Sequence, residues 1–217
     1  MPSEEPRTVA LAPVREVAVV TRALVAVTCA AGMLSTWAAW HRHQVAVDYV
    51  AGEPGVGVAR YVSAGNTSAN AGVLWMLAWL TTAVAFLTWS WRARDNAERL
   101  SSVPHRLSRG WVISGWLVPA FPLIVLEDVW RTSRPGAPRI GHARELPKAW
   151  LVRSWWYATL VSALVGLWLA VAKHSEPTVE ALRNVAFITT VLAMLQIVAA
   201  ALVTAMIRQI TLWQRAA

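Results

Sequence analysis

Four long apolar stretches govern what this chain can fold into. Residues 17–40, 72–91, 149–172 and 185–207 are each long enough to cross a bilayer. The second and fourth carry no charge, the third has only Arg153 near its start, and the first is uncharged from 23 to 40. A helix spans roughly 30 Å of hydrocarbon with about 20 apolar residues. The runs are continuous and lack the alternation of a barrel strand, so helix is the remaining way to satisfy backbone groups in lipid. The expected fold is all-α: a polytopic membrane protein with four transmembrane helices. Only 15% of the residues are charged and 56% are hydrophobic, whereas soluble domains carry about a quarter charged residues. That excludes a secreted soluble enzyme and a disordered tail, and the single Cys29 excludes a disulfide scaffold. The uncharged part of the first block exceeds the apolar region of a signal peptide, about 7 to 15 residues, so this block is expected to be a retained span.

Basic residues fix the expected orientation. Sixteen of the twenty Lys and Arg fall before span one, between spans two and three, or after span four; only Arg42, Arg60, Lys173 and Arg183 fall on the other side. Both termini and the central segment are therefore expected to be cytoplasmic, in a multi-pass protein of the plasma membrane. The net charge of +8 follows from this positive-inside asymmetry, and with the charges crowded beside apolar spans it does not argue for nucleic acid as a partner.

The remaining segments differ in character. Residues 1–13 are polar and proline-bearing and are expected to be a disordered cytoplasmic N-terminus, preceding one four-helix membrane domain over 14–217. Residues 41–71 form an outer loop rich in Gly and small polar residues, with composition consistent with either an ordered cap or a mobile loop. After span two, Arg94 with Glu98 and Asp95 with Arg99 stand four apart, a spacing that supports a solvated helix to about Leu100. The apolar run within 109–131 contains Trp111, Trp116, Pro119 and Pro122. It is too short and too broken to span, which predicts a kinked interfacial or re-entrant cytoplasmic element. A basic, Pro- and Gly-rich linker follows it.

Trp89-x-x-Arg92-Ala93-x-x-Asn96-Ala97, then Gly110-Trp111 with Trp116 and Pro119, then Pro122 and Trp130, resemble a family of actinobacterial membrane proteins known as a domain of unknown function. The likeness covers about residues 72–215 and takes in Arg208, Ile210, Thr211 and Gln214 after the last span. The two-proline element is compressed here relative to that family. The resemblance implies a four-helix membrane fold and no established activity.

The candidate ligand or head-group site comprises Arg92, Asn96, Trp111, Trp116, Pro119, Glu127, Asp128, Arg208 and Gln214. Arg92 and Asn96 lie four apart on one helical face, where a guanidinium fork and an amide suit an anionic head group; the favoured reading is that they cap the membrane boundary and hydrogen-bond to the Trp111–Pro122 element. Glu127 and Asp128 suit acid–base work or a divalent cation, but adjacent helical residues point about 100° apart, which favours pairing with arginines. His41 and His43 have no third ligand nearby for zinc and are expected to be solvated loop residues. No catalytic, metal or cofactor motif is present. Most of the fourteen tryptophans sit near span ends, as an interfacial belt does, while Trp79 and Trp168 lie deeper. Gln196 is the most polar group at mid-membrane and is expected to bond between helices. Ser162, Gly166 and Ala170 form a small-residue ridge expected to face a neighbouring helix.

Three classes of function are open to these residues; one of them, a pore formed by oligomerisation, needs a polar stripe along a span, and none of the four shows one. The leading one is a non-enzymatic membrane component whose basic, Trp-rich cytoplasmic face binds anionic lipid or a protein partner, including a second copy of the chain. The alternative is a lipid-handling enzyme or small-molecule transporter using the Arg92/Asn96/Glu127/Asp128 region. With no Asp, Glu, Lys or His inside a span core, ion-coupled transport is disfavoured.

Overall fold

The structure, a computed structural model, describes residues 12–101, 103–118, 121–135, 149–173 and 178–216. The order is α1 (Val14–Val50), α2 (Val58–Leu100), α3 (Trp111–Ser114), a 3₁₀ turn (Gly115–Leu117), α4 (Phe121–Thr132), α5 (Trp150–Ala172) and α6 (Val179–Ala216). The chain is all-helical among the described residues. Helices α1, α2, α5 and α6 are long and apolar enough to cross a membrane. Only 11% of the most apolar window of α2, and the same share in α5, is buried within the chain. Side chains such as Val84, Leu167 and Trp168 are more than 60% exposed. A surface this apolar is stable only against hydrocarbon or another apolar face, which makes this a membrane protein.

Helices α1, α2 and α6 extend well past the spans expected from hydropathy. At 1.5 Å per residue, α1 with its 37 residues is about 55 Å long, far more than a hydrocarbon core requires. The expected outer loop 41–71 is corrected accordingly. Residues 41–50 continue α1 and 58–71 begin α2, leaving only 51–57 as the connection. The breakers in this region cluster within 52–57, where Gly52 (φ 72°) and Gly55 (φ 82°) take up left-handed conformations that other residues adopt at a cost. Outside that turn nothing interrupts the helical ladder, and Gln44 Nε2 donates to Asp48 Oδ1 one turn on at 3.0 Å. His41 and His43 are consequently helical. His41 stacks on Trp37 with centroids 5.4 Å apart, and His43 meets Trp40 edge-on.

Two compact units divide the chain, and each long helix contributes to both. Unit 2 comprises 22–84 and 154–204. Its packing includes Leu169 of α5 against Ile188 and Leu192 of α6. Gln196 makes the expected bond between helices, accepting from Trp75 Nε1 at 3.2 Å. The small-residue ridge of α5 does not behave as expected. A Cβ added at Gly166 would meet nothing within 4 Å, and Ala170 is exposed. The residue of α5 that packs inward here is Leu169, 8% exposed. Small size permits close approach but does not compel it, and here the bulky side chain makes the contact.

Unit 1 comprises 1–21, 85–153 and 205–217. Its interior is a stripe along α2: Trp89, Ala93 and Ala97 are fully buried and Asn96 is 1% exposed. Positions i, i+4, i+7 and i+8 share one helical face. Met206, Ile207 and Ile210 of α6 and Val125, Leu126 and Val129 of α4 are likewise buried. Not every terminal tryptophan is interfacial, since Trp89, Trp155 and Trp156 are buried whereas Trp79 and Trp168 are exposed.

The element expected to be kinked at its prolines is built as α3, a 3₁₀ turn and α4. Pro122 stands second in α4, a first-turn position where a missing N–H disrupts no intrahelical bond. It therefore opens α4. Phe121 N–H donates to Val118 O at 3.0 Å across the junction. Ile113, Trp116 and Val118 face outward, between 38% and 58% exposed. Pro119, the N-terminal residues 1–11 and the linker 136–148 lie outside the described residues.

Candidate functional site

The basic end of α2 organises unit 1. Because Trp89, Ala93 and Ala97 pack inward, the residues between them fan out at 100° steps and reach different neighbours. Trp89 Nε1 donates to Thr211 Oγ1 of α6 at 3.3 Å. Asn96 Oδ1 accepts the Ala12 N–H at 2.7 Å, and its Nδ2 donates to Ala12 O at 3.0 Å and to Gln214 Oε1 at 3.5 Å. Gln214 Nε2 in turn donates to Ala93 O and to Ser133 Oγ, both at 2.8 Å. Arg92 Nη1 donates to Pro13 O at 3.0 Å. Buried polar groups are stable only when paired, and here the pairing ties the segment before α1, the end of α2, the end of α4 and the end of α6 together.

A second cluster joins α4 to the segment after α2. Asp128, fully buried, accepts from Arg106 twice: the backbone N–H to Oδ2 at 2.9 Å and Nε to Oδ1 at 2.7 Å. Glu127, 3% exposed, faces three guanidiniums: Arg106 at 3.2 Å, Arg131 at 3.5 Å and Arg153. Burial alone pushes the Glu127 carboxyl up, but hydrogen bonds from Arg153 and Arg106 and the Arg131 charge outweigh it and hold it below the ordinary carboxylate range. A carboxylate so held is ionised and saturated with donors, and is ill-matched to proton transfer near neutral pH.

The pairs read from four-residue spacing are present. Arg94 Nε donates to Glu98 Oε1 at 2.8 Å, and Arg99 pairs with Asp95 at 2.8 Å. Arg109 reaches back from the following segment to both Asp95 and Glu98. Arg94 is 2% exposed; its Nη2 donates to Leu107 O at 2.6 Å, while its Nη1 is buried with no partner among the described residues. Arg94, Glu98, Ser101, His105 and Arg106 line an open cleft of about 450 Å³. Both ring nitrogens of His105 are buried there without a partner among the described residues. Burial first, then the Arg94 charge, pushes the imidazole down to about 4 against the pull of Asp128 and Glu98.

Of the residues singled out from sequence, Asn96 and Gln214 come together, and Glu127 and Asp128 share Arg106. Arg92 and Asn96 make no hydrogen bond to the described residues of the Trp111–Pro122 element: their bonds go to residues 12, 13 and 214. Trp111 packs edge-on against Phe121 at 4.5 Å, and Trp116 against Phe86 at 5.9 Å. Arg208 is exposed on α6, and Pro119 lies outside the described residues. The sequence reading missed Arg106 and Arg153 as the acidic doublet's partners. Only Arg131, four residues after Glu127, carried a local signal.

These features define a four-helix membrane protein whose basic end is closed by hydrogen-bonded and ion-paired side chains. The chain belongs to the family described as a domain of unknown function, DUF4328, whose model matches residues 58–212. No curated protein and no solved structure matches the chain.

Proposed function

We propose that this is a non-enzymatic component of the plasma membrane whose unit 1 faces the cytoplasm and binds anionic lipid head groups. The observation that carries this reading is a charge imbalance within unit 1. Asp95, Glu98, Glu127 and Asp128 are all engaged by arginines, which leaves exposed Glu16 as the one unpaired acid among the described residues of unit 1. Arg15, Arg134, Arg208 and Arg215 are exposed and make no ion pair among the described residues. Basic side chains beside an acidic leaflet gain about 1 kcal/mol each, and a guanidinium suits phosphate by forked hydrogen bonds. The alternative, a lipid-handling enzyme or transporter using Arg92, Asn96, Glu127 and Asp128, has less support, because bonds within the chain already occupy all four. A protein partner carrying an acidic surface would use the same arginines.

The test compares thermal unfolding of the purified, delipidated protein with added phosphatidylglycerol and with phosphatidylcholine, at low and high salt. Phosphatidylglycerol should stabilise selectively at low salt, and Arg15→Gln, Arg134→Gln, Arg208→Gln and Arg215→Gln together should remove the difference. Equal stabilisation by both lipids would overturn the lipid reading. For orientation, with Cys29 replaced by Ala, Glu53→Cys should react with an impermeant thiol reagent in intact cells, whereas Arg134→Cys should react only after lysis.

A further inference from the structure

Unit 2 contains a partly enclosed cavity of about 310 Å³ between segments of α1, α2, α5 and α6. Its wall is mostly apolar and small, including Gly32, Gly72, Met76 and Leu192. Ser35, Ser68 and Thr189 add hydroxyls to it, and two stronger polar groups stand out. One is Gln196, whose Oε1 accepts from Trp75 Nε1, leaving the amide N–H donors with no partner among the described residues. A Cβ at Gly32 would stand 3.3 Å from that same oxygen, so the glycine lets α6 bring the amide close. The other is Lys173, at the turn that ends α5, the only charged residue among the described lining residues.

Among the described residues no acid pairs with that charge. The described lining contains no Asp or Glu, and neither Lys173 nor nearby Arg42 makes an ion pair among the described residues. Lys173 lines the cavity while keeping an exposed side; crowding by the surrounding protein and the Arg42 charge both push its amine down, and Arg42 Nε is buried without a partner among the described residues. Two cations with no acid paired to them among the described residues, one with its Nε buried, would gain from an anion bound beside the apolar wall.

We infer that this cavity binds a single-chain amphiphile with a carboxylate head, its chain along the apolar wall and its head at Lys173. Size and charge both select this class. The volume lies at the small end of the range for ligand sites, about 300 to 1,000 Å³, which suits one acyl chain better than two. A lone ammonium, a point charge, suits a monoanion, where a dianionic phosphate would call for an arginine fork in the lining. This site is independent of the arginines of unit 1 and of the orientation assigned above.

Calorimetric titration of the full chain in zwitterionic nanodiscs, corrected with empty discs, tests the assignment using laurate, dodecanol and dodecylammonium. Laurate should bind about tenfold tighter than dodecanol, the scale of one charge-assisted contact, and dodecylammonium should bind weakest. Lys173→Gln should abolish the preference for laurate over dodecanol while leaving dodecanol binding intact. Gly72→Leu should remove binding of both, because a Cβ at Gly72 meets nothing within 4 Å and the larger side chain fills the space without displacing the fold. An unchanged thermal unfolding profile for Gly72→Leu separates loss of the site from loss of the protein. Equal binding of laurate and dodecylammonium, a Lys173→Gln protein that still prefers laurate, or tighter binding of a lysophosphatidate than of laurate would overturn the inference.

Discussion

Asn96 holds Ala12 by both backbone groups, accepting its N–H at 2.7 Å and donating to its carbonyl at 3.0 Å. A side-chain amide paired this way substitutes for a neighbouring peptide unit, and 84 residues separate the two partners. The segment before α1 is thereby held against the buried face of α2, with Arg92 on Pro13 as a second tie.

Asn96→Ala should therefore release that segment. Two short bonds are lost and Gln214 loses a donor, for a cost of about 1–3 kcal/mol. The variant should unfold at a lower temperature in detergent and be cut faster by protease ahead of Val14. Asn96→Asp keeps the acceptor for the Ala12 N–H but loses both donated bonds, and puts a buried carboxylate facing the Ala12 carbonyl and Gln214 Oε1; it should be no better than the alanine.

The acidic doublet and the exposed pairs of α2 should respond differently to the same chemical change. Glu127→Gln removes the charge that three arginines share in a buried place, at a cost of about 1–3 kcal/mol. Asp95 pairs with arginines whose side chains are 44% and 50% exposed, so Asp95→Asn should cost under about 1 kcal/mol. Thermal unfolding of the two variants side by side checks the contrast.

Acid should destabilise unit 1 in two stages. His105 titrates near 4 in the fold but near 6.5 when unfolded, so the unfolded chain takes up its proton first. The stability it contributes is complete above about pH 6.5 and is lost as pH falls toward 4. Glu127, held below the ordinary carboxylate range, contributes stability that is present above the unfolded pKa and is lost as pH falls through the folded one. His105→Leu should flatten the first stage and leave the second, in unfolding measured from pH 7 to 3. Because neither ring nitrogen has a partner among the described residues, the substitution should cost little at pH 7.

Two glycines separate packing from propensity. Gly166→Ala should be neutral or stabilising by up to about 1 kcal/mol, the helix-propensity gain, because nothing lies within 4 Å of the new methyl group. Gly32→Val should destabilise, since even its Cβ stands 3.3 Å from Gln196 Oε1 and the branch atoms add to the crowding. Thermal unfolding of both variants measures the difference.

The four spans, the all-helical class and the ion pairs Arg94–Glu98 and Asp95–Arg99 were legible in the sequence, because hydropathy and four-residue spacing are local properties that need no partner to be known. Gln196 was legible as an interhelical group for a related reason: a lone amide among apolar residues must find a partner somewhere. The extent of α1 and α2 across 41–71 was hidden because composition averaged over that stretch mixes two helices with one short glycine turn. Tertiary structure alone decided that Asn96 would hold residue 12, that Arg106 and Arg153 would converge on Glu127, and that Leu169 instead of Gly166 would pack inward. Those outcomes depend on which helices approach one another and at what rotation. Side chains 20 to 120 residues apart then compete for the same donors and acceptors, and nothing in the periodicity of a single helix records who prevails.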